Sequence, residues 1–206
     1  MKLVKKTVIL CLSVVLTAAW TVRYYTLNDG FSVKYNVERL YYDMGDIVPY
    51  EEDQPAYVYY CDGYSIQVNG MQFHDADDFL TENDIRGVKG YLSRSDKLVE
   101  LDVTIYNKDN TNEEDGIRFN ATHMLGVDWT AHYSPSIVAY ENPIFENDAS
   151  KAGALRAKPD SSYDVKLFYE LRKSEFPEKR WADIENEKMW LEITIMERCK
   201  IIRLFE

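Results

Sequence analysis

The sequence predicts an all-β fold, an antiparallel β-sandwich preceded by one N-terminal hydrophobic helix. Residues 97–107 (KLVELDVTIYN) alternate apolar and polar side chains, which is typical of a half-buried strand. Several other short alternating segments are separated by polar loops, and long helical periodicity is rare. The longest apolar run, residues 7–22, follows three lysines at the start of the chain and predicts the helix.

Length and charge restrict the function classes. With 206 residues, the chain has room for one domain with a proper core. The net charge is -11, and residues 1–23 hold four of the 24 basic residues and none of the 35 acidic ones, so the remainder is more acidic still. Such a surface repels phosphate backbones, so nucleic acid is not an expected partner. A cationic peptide fits this charge better.

Residues 1–23 predict an export signal, either a signal peptide or a single-pass membrane anchor. The lysines would keep the N-terminus in the cytoplasm, and Trp20 and Arg23 stand where interfacial residues flank a short span. We expect a retained anchor that holds an extracytoplasmic C-terminal domain at the cell membrane. A secreted protein is the alternative.

Residues 24–56 predict a linker and N-terminal extension with an edge strand, in which residues 51–55 form an exposed acidic loop. Residues 57–206 predict the sandwich. It begins with a hairpin, because Asp62-Gly63 lies between two β-prone segments, and an Asp-Gly pair favours the positive φ angles of a two-residue turn.

Two oxygen-rich segments resemble calcium loops in composition. Residues 74–84 depart from the calcium-loop pattern, because Phe79 stands at a ligand position and no glycine follows. We therefore predict a short acidic helix or capping segment on the surface there. Residues 109–116 predict a polar loop after the central strand, and a calcium site remains an open alternative.

The central strand, residues 97–107, predicts two distinct faces. Its apolar residues predict the core face, and its polar residues predict the outer surface of the sandwich: Glu100, Asp102, Thr104 and Tyr106. After a looser crossover with a helical turn, residues 163–171 predict a second clean strand. Segments 189–196 and 200–205 predict the last two strands.

Cys61 and Cys199 are the cysteines outside the apolar run. A disulfide between them is chemically permitted in an oxidising compartment and would close a long loop. Two buried free thiols explain the same residues equally well.

Tyrosine occurs 16 times, and five tyrosines are candidates for an exposed binding face: Tyr41, Tyr42, Tyr57, Tyr59 and Tyr60. Alternation would place some of them on the outer side of the sheet, where aromatic rings suit sugars and flat peptide surfaces. Packing between neighbouring strands is the alternative interpretation.

The sequence contains little that indicates catalysis. The three histidines, His74, His123 and His132, lack zinc-site spacing, and no cofactor is expected. His123 and His132 could serve a hydrolase together with carboxylates, but no motif orients them.

The order of several segments resembles a known family type. These segments are the hairpin 62–68, Asp77-Asp78-Phe79-Leu80, Tyr106-Asn107-Lys108, Asn142-Pro143 and the stretch from Trp190 to Ile202. Their order is similar to that of the uncharacterised, singly anchored extracytoplasmic domains of Gram-positive bacteria. The resemblance implies an immunoglobulin-like sandwich and brings no catalytic residues with it. Members are often lipoproteins, and Leu10 before Cys11 departs from a lipoprotein signal.

We therefore expect a membrane-anchored, cell-surface binding or accessory module without catalytic activity. Its partner would be an envelope protein or a cationic peptide. The alternative is a secreted or anchored envelope hydrolase that uses carboxylates or His123 and His132. A concave pocket that gathers histidines and carboxylates would favour the hydrolase.

Overall fold

The computed structural model describes residues 13–24, 37–51, 53, 61–85, 95–112 and 115–205. The chain divides into two units, Met1–Val37 and Glu38–Glu206. In the first unit, residues 13–24 form helix α1. Within the described ranges, no helix has both the length and the apolar character needed to cross a membrane. The beginning of the apolar run, up to residue 12, lies outside these ranges.

The second unit is mostly β, as the sequence predicts. Its described strands are β1 (Glu38–Asp43), β2 (Val48–Pro49), β3 (Tyr64–Asp75), β4 (Lys97–Asn107), β5 (Ile117–Arg118), β6 (His123–Leu125), β7 (Thr130–Tyr133), β8 (Ala154–Leu155), β9 (Ser161–Leu171), β10 (Trp190–Glu192) and β11 (Arg198–Arg203). The α-helices are α2 (Ala76–Glu82), α3 (Pro135–Glu141) and α4 (Glu178–Trp181). Single 3-10 turns lie at Phe119–Ala121, Pro143–Phe145, Lys173–Glu175 and Ile184–Asn186.

Nine of these strands form one mixed sheet in the order β1-β11-β10-β6-β7-β9-β4-β3-β2, and β5 pairs separately with β8. The expectation of a purely antiparallel fold is wrong, because β1 runs parallel to β11. Strands β1 and β2 stand at opposite ends of the order, yet only residues 44–47 connect them. The two ends of the sheet are therefore close together, and the sheet is nearly barrel-like.

The central strand is β4, and it extends over the residues that the alternation predicts. It pairs along its whole length with β9 and, across a bulge between Val68 and Gly70, with β3. Its apolar residues Leu101, Val103 and Ile105 are almost completely buried. Similar alternation on β9 buries Val165, Leu167 and Tyr169 against them. The hydrophobic core thus lies on the inner side of the curled sheet.

The outer face of β4 is less exposed than the sequence predicts. Glu100 is 5% exposed and Thr104 is 9% exposed, so these two polar residues are buried. Glu100 lies near the two short helices on this side of the sheet, whereas Thr104 is enclosed by hydrogen bonds with Asn69 and Asp164 of the neighbouring strands. Phe79 of α2 packs on Phe168, with ring centroids 5.2 Å apart, and Tyr140 of α3 donates a hydrogen bond to the backbone just after α2.

Helix α2 confirms the prediction of a short acidic helix after β3. Asp75 caps its first turn, because its carboxylate accepts hydrogen bonds from the backbone N–H groups of Asp77 and Asp78 at 3.1 and 3.3 Å. The apolar side chains of the helix, Phe79 and Leu80, face the protein.

Charged residues connect the two ends of the curled sheet. Lys200 on β11 is 0% exposed, and its Nζ donates to the carbonyl oxygens of Pro49 and Tyr50, at the end of β2. Two acids from the following turn join it, together with a second cation from β11. We call these four residues the seam cluster: Glu51, Asp53, Arg198 and Lys200.

Candidate functional site

The tyrosine face predicted from the sequence falls only partly within the described ranges. Tyr41 and Tyr42 are neighbours on β1; Tyr41 is 50% exposed, and Tyr42 is half-buried against the core. Adjacent residues of a strand point to opposite faces, so these two side chains do not share a surface. Tyr57, Tyr59 and Tyr60 lie outside the described residues. The five-residue face stays a prediction.

Another group of aromatic side chains forms a partly exposed surface. The ring of Phe176 lies between two tryptophans, 5.4 Å from Trp129 and 5.6 Å from Trp181 between centroids. All three rings are half-buried, and Val127 beside them in the chain is 72% exposed. We call these four residues, Val127, Trp129, Phe176 and Trp181, the aromatic cluster.

A tight hairpin presents the first half of this cluster. Strands β6 and β7 pair antiparallel, and residues 126–129 join them. Gly126 N–H donates to the carbonyl of Trp129 at 2.8 Å, and the indole turns back over the glycine. A Cβ atom at Gly126 would lie 2.0 Å from Trp129 Cε2. The hairpin therefore needs glycine at this position to hold Trp129 in place.

An arginine joins this hairpin to the second half of the cluster. Arg180 of α4 binds the Glu187 carboxylate through Nε and Nη2, the latter at 2.9 Å, and binds Asp128 through Nη1. Trp129 Nε1 donates to the same Glu187 carboxylate at 3.0 Å. The guanidinium also lies 6.0 Å from the centre of the Phe176 ring. We call Asp128, Arg180 and Glu187 the Arg180 bridge.

The electrostatics of the bridge explain what this surface offers a ligand. The hydrogen bond from Arg180 lowers the pKa of Glu187, and the bond from Trp129 acts in the same direction. Glu187 is therefore ionised at neutral pH and occupied by its partners. The charged groups of the bridge are paired with one another, and the apolar edge of the aromatic cluster remains open to solvent. Such an arrangement suits binding to flat or apolar groups rather than proton transfer.

His74 belongs to a buried polar contact on the outer face of the sheet. Its Nε2 lies 2.8 Å from Glu100 Oε2, and Lys166 Nζ lies 2.6 Å from the other oxygen of Glu100. Burial, together with the charge of Glu100, raises the pKa of nearby Glu141 despite the opposing charge of Lys166. His74 also packs on Phe79 of α2, with ring centroids 4.9 Å apart, so this polar contact lies beneath the outer helices.

The two histidines of the hydrolase hypothesis have separate acidic neighbours. His123 Nδ1 lies 3.1 Å from Glu192 Oε1, and this hydrogen bond raises the pKa of His123 and lowers that of Glu192. His132 is more exposed and lies 3.9 Å from Glu175. The structure thus gives His123 an acid partner on β10 and His132 one in the turn after β9.

Cys61 and Cys199 are both buried, free thiols. Cys61 Sγ donates to the carbonyl of Gly116 at 3.2 Å, and Cys199 Sγ donates to Glu192 at 3.3 Å. Burial is the main cause that raises the pKa of each thiol to about 12. The disulfide alternative is not formed in this structure. At neutral pH both side chains are weakly reactive thiols rather than thiolates.

The polar loop after β4 is closed by amide groups. The two carboxylate oxygens of Asp115 accept hydrogen bonds from Asn112 and Asn110 at 3.1 and 3.0 Å, and Asn110 also donates to the carbonyl of Asp62 at 2.6 Å. In the part of the chain that the structure describes, no group of three or more His, Cys, Asp or Glu side chains is placed to hold a metal ion.

Sequence reasoning missed the aromatic cluster. It gave no role to Trp129, Phe176 or Trp181. The available signal was the occurrence of two tryptophans and a phenylalanine in segments that are otherwise polar. Large aromatic residues in such loops often pack on one another to remove area from water.

Comparison with known proteins places the chain in a family without assigning an activity. A family model described as a domain of unknown function (DUF5028) matches residues 39–196. No curated protein matches the chain. One similar solved structure is described as that of a functionally unknown protein from Listeria monocytogenes EGD-e; it has a TM-score of 0.36 and 9% identity, over 71% of this chain and 74% of that one. Because the family model spans most of its length, the chain belongs to the DUF5028 family, a domain of unknown function.

Proposed function

We propose that this chain is a non-catalytic binding or accessory module, held at the cell surface by its N-terminal segment, and that the aromatic cluster is its contact surface. The observation that carries the proposal is the exposed apolar edge of that cluster, with Val127 72% exposed at the tip of a braced hairpin. A large apolar side chain at the tip of a rigid hairpin can bury area on a partner at little cost in conformational entropy.

Charge supports an envelope protein or a cationic peptide as the partner. The net charge of the chain is -11, so association with a basic segment is favoured over association with an anionic polymer. The cluster supplies rigid aromatic contacts, and Arg and aromatic residues are common at the energetic centres of such interfaces.

Site-specific photocrosslinking in living cells tests the proposal. A photoreactive phenylalanine analogue at Val127 should form a covalent adduct with one partner, because that side chain would lie within the interface. The matched control is the same analogue at Ile144, which is 42% exposed in a turn outside the aromatic cluster. An adduct from Val127 alone supports the proposal. No adduct from Val127, or equal adducts from both positions, overturns it.

The location and the finer fold class belong to the same proposal. We infer an N-terminal anchor in the cell membrane of a Gram-positive bacterium and an immunoglobulin-like relationship for the domain. The basic and apolar character of residues 1–23 supports the anchor, and the curling of the sheet around one core supports the sandwich-like interpretation. Protease treatment of intact cells should digest the chain beyond Arg23. Protection equal to that of a cytoplasmic control would overturn the exported topology.

A second candidate function is an envelope hydrolase. The contact between His123 and Glu192 favours it, because a histidine whose pKa is raised by a carboxylate can act as a general acid. Purified peptidoglycan is the substrate for its test. Release of soluble fragments by the wild-type protein, and its loss in His123→Gln, would replace the binding module with an enzyme.

A further inference from the structure

The centre of the seam cluster is a buried amine in contact with a buried carboxylate. Lys200 is 0% exposed and Asp53 is 1% exposed, and Lys200 Nζ lies 2.8 Å from Asp53 Oδ2. Lysine and aspartate are almost never buried to this degree unless they are paired. The pair connects two parts of the sheet that are distant in strand order, since β2 and β11 lie near opposite ends.

The other two members of the cluster surround the same carboxylate. Arg198 donates to Asp53 Oδ1 from its backbone N–H at 3.0 Å and from Nε at 3.1 Å. Glu51 Oε2 lies 3.4 Å from Lys200 Nζ and 2.7 Å from Arg198 Nη2. Glu51 is about half exposed, so it connects the buried pair to solvent.

Both cations of β11 lie against the same oxygen of Asp53. Oδ2 of Asp53 lies 2.8 Å from Lys200 Nζ and 2.8 Å from Arg198 Nη2, and neither of these two salt bridges meets the criteria for a hydrogen bond. The Nζ atom donates hydrogen bonds to the carbonyl oxygens of Pro49 and Tyr50 and to the carboxylate of Glu51. These three hydrogen bonds fix the amine beside the Asp53 carboxyl group.

We propose that Lys200 and Asp53 condense to form an intramolecular amide bond across the seam of the sheet. One proton first passes from Nζ to Oδ2, which neutralises both groups. The Nζ lone pair then attacks Asp53 Cγ, forming the C–N bond, and the carbonyl electrons move to Oδ1, where the two N–H donors of Arg198 stabilise the negative charge. Glu51 takes a second proton from Nζ and delivers it to the Oδ2 hydroxyl, the Cγ–Oδ2 bond breaks, and water leaves.

The charges and atoms balance without any further reactant. The ammonium and the carboxylate become a neutral amide and one water molecule, and the ion pair of Arg198 with Glu51 remains. Burial opposes the ionisation of Asp53, but contacts with Lys200 and Arg198 outweigh it and lower its pKa. The unreacted site is therefore an ion pair, and condensation removes the cost of keeping two desolvated charges.

The bond would have a clear structural consequence. It would connect the turn after β2 to β11 and close the nearly barrel-like sheet covalently, so that these two elements could not separate during partial unfolding. A cross-link of this kind stabilises a fold mainly by restricting the unfolded chain, and the effect grows with the length of the closed loop.

Peptide mapping of the purified full-length protein tests the proposal directly. Trypsin should release residues 40–86 joined to residues 199–203, one water lighter than the sum of the two peptides, and should fail to cut after Lys200. This product does not depend on how the N-terminus is processed. The proposal would be overturned if a protein that circular dichroism shows to be folded gave two separate peptides and complete cleavage after Lys200.

Three variants distinguish the bond from the ion pair alone. Lys200→Arg keeps a cation beside Asp53 but has no nucleophilic amine, so the linked peptide should disappear. Glu51→Gln should slow or abolish the bond, because it removes the proton carrier. Asp53→Asn should lose ammonia and give the same linked product as the wild type. If Lys200→Arg does not fold, the comparison of Asp53→Asn with the wild type still tests the proposal. The two proteins should give linked peptides of the same mass, and different masses would contradict the mechanism.

Discussion

The seam cluster and the Arg180 bridge use the same chemical groups in two different environments. In the bridge, one cation, Arg180, joins carboxylates from two segments, whereas in the seam cluster two cations of β11 meet two carboxylates of the turn after β2. In the seam cluster, Asp53 and Lys200 are at most 1% exposed. In the bridge, the Asp128 side chain is 66% exposed and the Arg180 side chain is 25% exposed.

Burial decides what each cluster contributes. Water screens the charges of an exposed ion pair, so such a pair adds little stability and mainly sets geometry. Two buried charges are costly to desolvate, but removing one of them destabilises the fold because the other stays buried without a counter-charge. The seam cluster should therefore be a requirement for folding, and the bridge a device that positions Trp129 beside Phe176.

Asp53→Ala should have the largest effect on stability. It removes the buried carboxyl group that faces Lys200 and leaves only the half-exposed Glu51, 3.4 Å from Nζ, so we expect a loss of about 3 to 5 kcal/mol in the free energy of unfolding. Urea denaturation followed by circular dichroism measures this loss. The matched control is Asp128→Ala, which removes an exposed carboxylate from the bridge. Equal losses for the two variants would contradict the role assigned to burial.

Gly126→Ala should have a smaller but clear effect on the aromatic cluster. The new methyl group would lie 2.0 Å from Trp129 Cε2, so the indole must move away from the hairpin. We expect a loss of about 1 to 3 kcal/mol, as for other overpacked sites, and a red shift of tryptophan fluorescence. The control is Gly153→Ala, whose Cβ would meet Asn120 at an ordinary 3.6 Å. Unchanged fluorescence in Gly126→Ala would contradict the described packing.

Local patterns in the sequence predict the central strands well. Strands β4 and β9 alternate regularly, and the apolar side of each is buried as expected. The parallel pairing of β1 with β11 could not be predicted in this way, because its partners lie at opposite ends of the domain and no local pattern encodes their register. The burial of Glu100 likewise depends on helices elsewhere in the chain.

The candidate sites depend even more on contacts between distant segments. Residues 51–55 were expected to form an exposed acidic loop, yet Asp53 is buried because Lys200 and Arg198 from β11 compensate its charge. Composition alone cannot separate such an acid from its solvated neighbours. The aromatic cluster was missed for a related reason, since Trp129 and Phe176 are far apart in sequence and meet only when the hairpin folds back.

Arg180→Met should reduce thermal stability only slightly and mainly at low salt. The variant releases Asp128 and Glu187, both of which can be solvated, while the Met side chain still covers Phe176. Differential scanning calorimetry at low and high salt measures the effect. Arg198→Met is the comparison variant. Its loss of thermal stability should be larger and less dependent on salt, because it removes one of the two cations that neutralise Glu51 and the buried Asp53. A large, salt-independent loss of thermal stability in Arg180→Met would mean that the exposed bridge stabilises the fold as strongly as the buried seam cluster.

The contact between His123 and Glu192 is intermediate in burial and should give a small effect that depends on pH. The hydrogen bond raises the pKa of His123 above its ordinary value of 6.5, so its stabilisation is complete below that value and is lost as the pH rises through the raised pKa. The same bond lowers the pKa of Glu192 below its ordinary value of 4.5, so the contribution of Glu192 is lost as the pH falls through the lowered value. The pair should therefore contribute most between these two ordinary values.

Melting temperatures of the wild type and His123→Gln, measured from acidic to mildly alkaline pH, test this expectation. The difference should be greatest in mildly acidic solution and should vanish at alkaline pH, where His123 is neutral in both the folded and unfolded states. His132→Gln is the matched control, since the His132 side chain is 57% exposed and lies 3.9 Å from Glu175. A pH-independent difference for His123→Gln would mean that the ring acts through packing. In that case the partly buried pair of His123 and Glu192 would contribute no more to stability than an exposed ion pair. Only charges buried as fully as those of the seam cluster would then contribute strongly to the stability of this fold.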